Sequence, residues 1–228
     1  MKFLLFAVVS FCLFLNFVEL KAGENQMSNL NSYINNAENS FSEISPERKE
    51  KLNELADYIT KKQNSEDIIN LNFICTHNSR RSHMSQIWAQ TAANLYKVGN
   101  LKCYSGGTEA TAFNPRAVKA LRKAGFEINI AKEGDNPVYN VKYAENKSLK
   151  AFSKVYDDEY NPENFVAVMT CSDADENCPY IPGAEARFAI TYDDPKEFDG
   201  TELEEQKYDE RCRQIATEMF YVFSQVES

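Results

Sequence analysis

The sequence feature that most constrains the fold is a short apolar segment that runs straight into a cysteine-containing polar loop and then into a helix. Residues 68–74, IINLNFI, have the composition of a strand, and Cys75 follows them directly. After the loop, apolar residues recur at helical spacing between Met84 and Leu95, which predicts an amphipathic helix that begins near Ser82. The order is therefore strand, polar loop, helix.

Two later segments are also predicted to be strands. Residues 101–105 are followed by Asn114-Pro115, a pair that typically opens a helix. Residues 165–169, FVAVM, run directly into a polar turn that contains Cys171. Alternating strands and helices predict an α/β fold of three layers, in which a short, mainly parallel sheet carries helices on both faces. Ligands of such sheets bind beyond the carboxyl ends of the strands.

Residues 1–22 have the layout of a secretory signal peptide, with a lysine, a nearly unbroken apolar run over residues 3–18 and a short polar stretch. We expect an exported, periplasmic protein from which Cys12 is removed with the signal peptide. An uncleaved membrane anchor is one alternative. Translation from Met27 is the other, and it would leave the product in the cytoplasm.

The remaining residues divide into two predicted parts. Residues 23–64 carry apolar positions at helical spacing and are expected to form an N-terminal helical extension of two helices. Residues 65–228 form the α/β domain. Within that domain, residues 129–164 lack a sustained period, and we expect an insertion with a short hairpin made by residues 138–143 and 150–156.

Charge and cysteine content exclude several classes of protein. The 228 residues hold 25 Lys and Arg against 34 Asp and Glu, a formal charge of −9, so no basic field favours nucleic acid as a partner. Six cysteines are too few for a disulfide-dense scaffold. The two histidines, His77 and His83, lie close together and no paired CxxC motif is present, so no metal site is expected. Nothing in the sequence indicates a cofactor.

Cys75 and Arg81 enclose five residues, C-x5-R, between the predicted strand and helix. A loop in that position can point successive backbone N–H groups inward, and the helix N-terminus adds positive potential, so the loop can cradle a tetrahedral oxyanion. Arg81 can supply a bidentate fork, and such surroundings favour a thiolate nucleophile. Ser82 can donate to the sulfur and Asn78 can brace the loop. The alternative is a cysteine packed at a strand end with an exposed arginine nearby.

Several segments together resemble the low-molecular-weight tyrosine phosphatase superfamily, and more closely its thioredoxin-coupled arsenate reductase branch. They are CTHNSRRS at 75–82, YSGGTEA, AFNPRAVKALRKAGFEI, CSDADENC at 171–178 and YDDP at 192–195. The resemblance covers about residues 68–226 and implies that residues 65–228 are a catalytic domain. It also implies Cys75 as nucleophile, Arg81 as oxyanion clamp and Asp194 as general acid, whereas the residues around Asp194, taken alone, indicate a solvated turn.

The resemblance implies that the loop after the nucleophile holds the oxyanion. The loop residues are Thr76, His77, Asn78, Ser79, Arg80, Arg81 and Ser82. Arg80 stands where the reductase branch has a small residue or a cysteine, and His77 replaces a common glycine, so a narrower and more positive pocket is expected. The phosphatases typically have aromatic residues after their Asp-Pro pair. Lys196-Glu197 stands there in this chain and disfavours a phosphotyrosine substrate.

The resemblance also implies a role for Cys171 and Cys178. In the reductase branch, arsenate bonds to the first cysteine, the second attacks that sulfur and releases arsenite, and the third attacks the resulting disulfide. A thioredoxin-like electron donor then reduces the final disulfide. A structural disulfide between Cys171 and Cys178, or a pair of unreactive thiols, is the alternative. Cys103 and Cys212 are expected to be buried core residues.

The sequence therefore predicts an oxyanion-processing cysteine enzyme, an arsenate reductase that uses Cys75, Cys171 and Cys178 as a thiol relay. The first alternative is a low-molecular-weight protein tyrosine phosphatase or phosphomonoester hydrolase with a Cys75 phosphocysteine intermediate. The second is a non-catalytic module that binds an anion or docks a partner. The expected partners are a small oxyanion such as arsenate or phosphate, or a phosphorylated substrate, and an electron donor.

Overall fold

The computed structural model describes residues 27–65, 68–178 and 180–227. The predicted signal peptide and Cys12 lie outside these residues, so the expectations on export and anchoring stay predictions. None of the helices in the described ranges is both long enough and apolar enough to cross a lipid bilayer.

The described residues form six α-helices, seven strands and two short 3-10 turns. The helices are α1 (27–39), α2 (Pro46–Asn64), α3 (Arg81–Leu95), α4 (Pro115–Lys123), α5 (Ser172–Asn177) and α6 (Glu204–Ser224). The strands are β1 (Ile69–Cys75), β2 (Leu101–Gly107), β3 (Glu127–Lys132), β4 (Val138–Ala144), β5 (Lys147–Ala151), β6 (Phe165–Met169) and β7 (Ala184–Ala189). The 3-10 turns are Phe41–Glu43 and Pro195–Phe198.

Four strands form the main sheet in the order β2-β1-β6-β7, and every neighbouring pair is parallel. This arrangement confirms the predicted α/β fold. The predicted strands correspond to β1, β2 and β6, whereas β7 was not predicted. β7 lies at an edge of the sheet and its residues are only partly buried, so its sequence, AEARFA, lacks the apolar run that marks the other strands.

Strands β3, β4 and β5 form a separate antiparallel sheet in that order. The expected hairpin is confirmed in its first strand and wrong in its second, because β5 begins directly after a turn at Asn146, whose φ is 58°. Residues 152–156 instead run back to the main sheet, where Val155 forms a parallel bridge with Gly107. The insertion thus returns the chain to the edge of the sheet beside the end of β2.

The two faces of the main sheet are covered differently. Phe73 and Val168 belong to a large core that α1, α2, α3, α4 and α6 build on one face. Ile74 and Ala167 belong to a smaller core on the other face, where α5 contributes Ala174. Within the described ranges, the second face therefore carries only the short helix α5 and irregular segments.

Trp88 of α3 lies within the large core and is fully buried. Its rings stack on Tyr33 of α1 at a centroid distance of 5.2 Å and meet Phe126 edge-on at 4.6 Å. Its indole N–H donates to Cys212 Sγ at 3.4 Å. Burial raises the pKa of the Cys212 thiol to about 11. Cys212 and Cys103 are both buried, which confirms their predicted place in the core.

Gly106 provides a test of how tightly the insertion packs against the sheet. A Cβ atom at Gly106 would lie 2.3 Å from the Cα atom of Tyr156. We expect Gly106→Ala to lower the free energy of unfolding by about 1–3 kcal/mol, because the backbone of one of the two segments has to move. Gly99→Ala is the control, since nothing lies within 4 Å of its added Cβ. Equal urea-unfolding midpoints for the two variants would contradict the close contact between Gly106 and Tyr156.

Candidate active site

The loop between β1 and α3 is held in shape by one buried asparagine. Asn78 is fully buried and has a φ of 43°, a left-handed conformation that asparagine tolerates better than most residues. Its Nδ2 donates to Ser82 Oγ at 2.8 Å, and its Oδ1 accepts from the backbone N–H of Lys154 at 2.9 Å. Asn78 therefore ties the loop both to the start of α3 and to the returning insertion.

The outer side of the loop is bound through its carbonyl groups. Four of these groups accept hydrogen bonds from other segments: Cys75 from Thr108 N, Thr76 from Glu109 N, His77 from Ser153 Oγ and Ser79 from Asn114 N, at 2.8–3.2 Å. In a trans peptide the following N–H points opposite to the carbonyl. The N–H groups that follow these four carbonyls therefore point away from the segments that donate to the carbonyls. One side of the loop is thus concave and lined with N–H donors.

The Cys75 thiol lies at the start of this concave loop, at the carboxyl end of β1. The residue is 3% exposed, and Cys75 Sγ lies 3.1 Å from Ser82 Oγ. Because Ser82 Oγ already accepts from Asn78, its own proton is available to the sulfur. The arrangement supports a nucleophilic sulfur that receives a hydrogen bond.

Arg81, the first residue of α3, brings a distant carboxylate to the loop. Its Nη2 donates to Asp194 Oδ2 at 2.8 Å, and its Nη1 donates to the carbonyl of Tyr192 at 2.9 Å. Asp194 also caps the following 3-10 turn by accepting from the N–H of Lys196 at 3.0 Å. Arg81 Nε is buried and has no hydrogen-bond partner among the described residues. One donor of the guanidinium is therefore left for a bound anion.

The side chains of two predicted loop residues have other partners. Arg80 is directed toward α6, where its Nε donates to the hydroxyl of Tyr208 at 2.8 Å and its Nη2 lies 3.7 Å from Asp199. Its Nε also lies 3.9 Å from Asp194 Oδ1, so its positive charge is close to the carboxylate that Arg81 holds. The half-exposed ring of His77 lies 3.6 Å from the carboxylate of Glu109, at the rim.

Cys171 and Cys178 lie at the two ends of α5, on the same face of the sheet as Cys75. Cys171 is fully buried at the N-cap, where its Sγ accepts from the N–H of Ala174 at 3.4 Å. The same sulfur lies 3.5 Å from the hydroxyl of Thr76, the residue after Cys75. Cys178 is partly exposed and packs against the same cluster. The cysteines in the described ranges are all free thiols.

The sequence gives no indication that His83 of α3 and Lys154 of the insertion form a buried pair. The ring of His83 stacks on Phe113 at 4.0 Å, and burial together with the nearby Lys154 charge lowers the pKa of His83 to about 3. Burial lowers the pKa of Lys154 to about 8, and its Nζ lies 4.6 Å from the ring centroid of Phe152. Lys154 belongs to the insertion, whose irregular sequence gave no signal for this contact.

The described residues hold no cluster of three or more His, Cys, Asp or Glu side chains that could bind a metal ion. The polar groups around Cys75 are instead amides, a guanidinium and hydroxyls. Those groups are suited to an oxyanion.

Comparison with known proteins matches the sequence of this chain to one family. Residues 70–140 match the family model described as low molecular weight phosphotyrosine protein phosphatase. The arsenate reductase of Bacillus subtilis strain 168 is 32% identical over 141 residues, which cover 62% of this chain and 84% of that protein. The arsenate reductase of Staphylococcus aureus strain Newman is 32% identical over 124 residues, 54% of this chain and 76% of that protein.

Among solved structures, the low molecular weight protein tyrosine phosphatase of T. tengcongensis aligns with a TM-score of 0.48 and 14% identity, over 68% of this chain and 98% of that chain. The sequence relationship shows that the chain belongs to the low-molecular-weight phosphotyrosine phosphatase family, and the two relatives compared above are arsenate reductases. It is an enzyme of that family.

The buried His83 predicts a specific dependence of stability on pH. The pKa of His83 is about 3 in the folded chain and 6.5 in the unfolded chain. Below pH 6.5 the unfolded chain therefore binds a proton that the folded chain does not bind. Stability is thus lost as the pH falls. Between pH 7 and pH 5 this one group should remove about 2 kcal/mol.

The measurement is the free energy of unfolding in urea at pH 7, 6 and 5 for the wild type and for His83→Phe, which keeps an aromatic ring over Phe113. The variant should lose less stability on acidification than the wild type by about that amount. Parallel curves for the two proteins would show that His83 is not buried in its neutral form.

Proposed function

We propose that this protein reduces arsenate through three thiols, with Cys75 as the nucleophile and Cys171 and Cys178 as the relay. The observation that carries the proposal is that Cys171 packs in the same buried cluster as Cys75, with its Sγ 3.5 Å from the hydroxyl of Thr76, the residue that follows Cys75. The curated relatives named arsenate reductase, at 32% identity, support the same activity. More generally, the chain is an oxyanion-processing cysteine enzyme.

In the first step the concave loop and Arg81 hold the tetrahedral anion, and the Cys75 thiolate attacks arsenic(V). A sulfur–arsenic bond forms and an arsenic–oxygen bond breaks. The departing oxygen leaves as water with a proton from Asp194, whose carboxyl group lies beside Arg81. Ser82 holds the sulfur in place.

In the second step the Cys171 thiolate attacks Cys75 Sγ. The sulfur–sulfur bond forms, the sulfur–arsenic bond breaks, and its electron pair stays on arsenic, which leaves as arsenite. Arsenic gains two electrons, and the two thiols lose them as they become a disulfide. The 3.5 Å distance between Cys171 Sγ and the hydroxyl of Thr76, the residue after Cys75, supports this attack.

In the third step Cys178 attacks the sulfur of Cys171 and frees Cys75. This step needs α5 to unwind, because a helix from Cys171 to Cys178 is about 10 Å long and a disulfide requires Cα atoms within about 7 Å. Only Ala174 of the helix is buried, so unwinding exposes little apolar surface. The new disulfide then lies at the surface, where an external dithiol such as a thioredoxin-like protein can reduce it.

Hydrolysis of phosphomonoesters is the second candidate function. It needs only Cys75, Arg81 and Asp194, and it is supported by the hydrogen bond of 2.8 Å from Arg81, at the end of the Cys75 loop, to Asp194. The phosphocysteine formed by Cys75 would be hydrolysed by water without the other two thiols. Side-by-side assays of both substrates therefore separate the two functions.

The relay makes distinct predictions for each cysteine. Cys171→Ala and Cys178→Ala should each reduce multiple-turnover arsenate reduction to background with any dithiol donor. Both variants should keep kcat/KM for a small aryl phosphate within about threefold of the wild type, because the hydrolytic groups are unchanged. Cys75→Ser should abolish both activities.

Cys103→Ala is the matched control, since it removes a buried thiol of β2 that lies outside the cluster of the three relay cysteines. It should retain both activities. Arsenate turnover that survives Cys171→Ala, or a wild type that hydrolyses aryl phosphate rapidly and never reduces arsenate, would overturn the relay in favour of the second function.

A further inference from the structure

An arginine of helix α2 reaches the segment that carries Asp194. Arg48 is largely buried, and its Nε and Nη2 donate to Glu218 Oε2 of α6 at 3.0 and 2.6 Å. Nη2 also donates to the carbonyl of Thr191 at 3.1 Å. The guanidinium carbon lies 5.0 Å from the ring centroid of Tyr192, within the range of a cation–π contact.

The same short segment also holds Arg81. The carbonyl of Tyr192 accepts from Arg81 Nη1, and the carboxylate of Asp194 accepts from Arg81 Nη2. The N–H of Tyr192 donates to the carbonyl of Thr170, which fixes the segment to the end of β6. Residues 191–194 therefore lie between two arginines, one from α2 and one from the start of α3.

We infer that Arg48 is a positioning residue for the oxyanion clamp, a role that rests on the proposed function of Arg81. Arg48 orients the backbone of residues 191–192, and this backbone together with Asp194 orients the Arg81 guanidinium. The donor Arg81 Nε then stays free for the anion. Arg48 precedes residues 70–140, the stretch that matches the family model, so the N-terminal helical part of this chain completes its active site.

The contacts of the Arg48 side chain require an arginine at this position. One planar guanidinium donates to a carboxylate and to a carbonyl while its face covers an aromatic ring. A lysine ammonium at the same place is a point charge without that planar face. Glu218 is itself 3% exposed and accepts from Gln214 Nε2 on its other oxygen at 3.0 Å, so the partner of Arg48 is fixed.

The test is the affinity of the full chain for inorganic phosphate, measured by calorimetry. Arg48→Met alone would leave the Glu218 carboxylate buried without a partner, so the test variant is Arg48→Met with Glu218→Gln, which removes both charges and can keep the bond to Gln214. We expect the dissociation constant to rise about tenfold. Glu218→Gln alone should change it less, because Arg48 keeps its bond to Thr191.

Lys62→Met is the control on the same helix, since Lys62 joins α2 to Glu185 of β7 through an ion pair of 2.8 Å that does not involve residues 191–194. It should bind phosphate as the wild type does. All titrations are made well below the melting temperature of each variant, so a loss of stability alone does not change the dissociation constant.

Arg81→Met separates the inference from the proposed function. If Arg81→Met weakens phosphate binding and the Arg48→Met, Glu218→Gln protein binds as tightly as the wild type, Arg48 only stabilises the fold and the inference is wrong. If Arg81→Met itself binds phosphate as tightly as the wild type, Arg81 is not the oxyanion clamp. Both the proposed function and the inference are then wrong.

Discussion

The active site depends on the hydrogen bonds that fix Asn78 in a left-handed conformation. One side-chain amide spans Ser82 at the start of α3 and the backbone of Lys154 in the insertion. With Asn78 fixed, the carbonyls of the loop meet donors from outside and its amides face inward. The shape of the loop is thus set by hydrogen bonds to groups outside its concave side.

Two long-range connections add the chemistry to this cradle. Arg81 brings Asp194 to the loop from 113 residues away, and Cys171 reaches Thr76 from 95 residues away. Parallel strands explain both contacts, because the carboxyl ends of β1, β6 and β7, which precede Arg81, Cys171 and Asp194, meet at one edge of the sheet. The residues to which we assign the roles of acid, clamp and second thiol therefore all lie in segments that leave this edge.

The sequence predicts the local parts of the site and misses the parts that depend on packing. The strand before Cys75 follows from its β-rich composition, and the helix, predicted from Ser82 and observed from Arg81, follows from apolar periodicity. Helix α5 was expected to be a polar turn, because six residues with one buried alanine give no period. The contact of Arg48 with Thr191 joins residues 143 apart, and no local pattern encodes it.

The most direct test of the thiol relay is a single turnover of arsenate by the reduced Cys178→Ala protein, followed by non-reducing mass spectrometry. With the third thiol removed, the relay has to stop after its second step. We expect about one arsenite released per chain and a disulfide between Cys75 and Cys171. Arsenite release without that disulfide, or a disulfide that involves Cys103 or Cys212 instead, would contradict it.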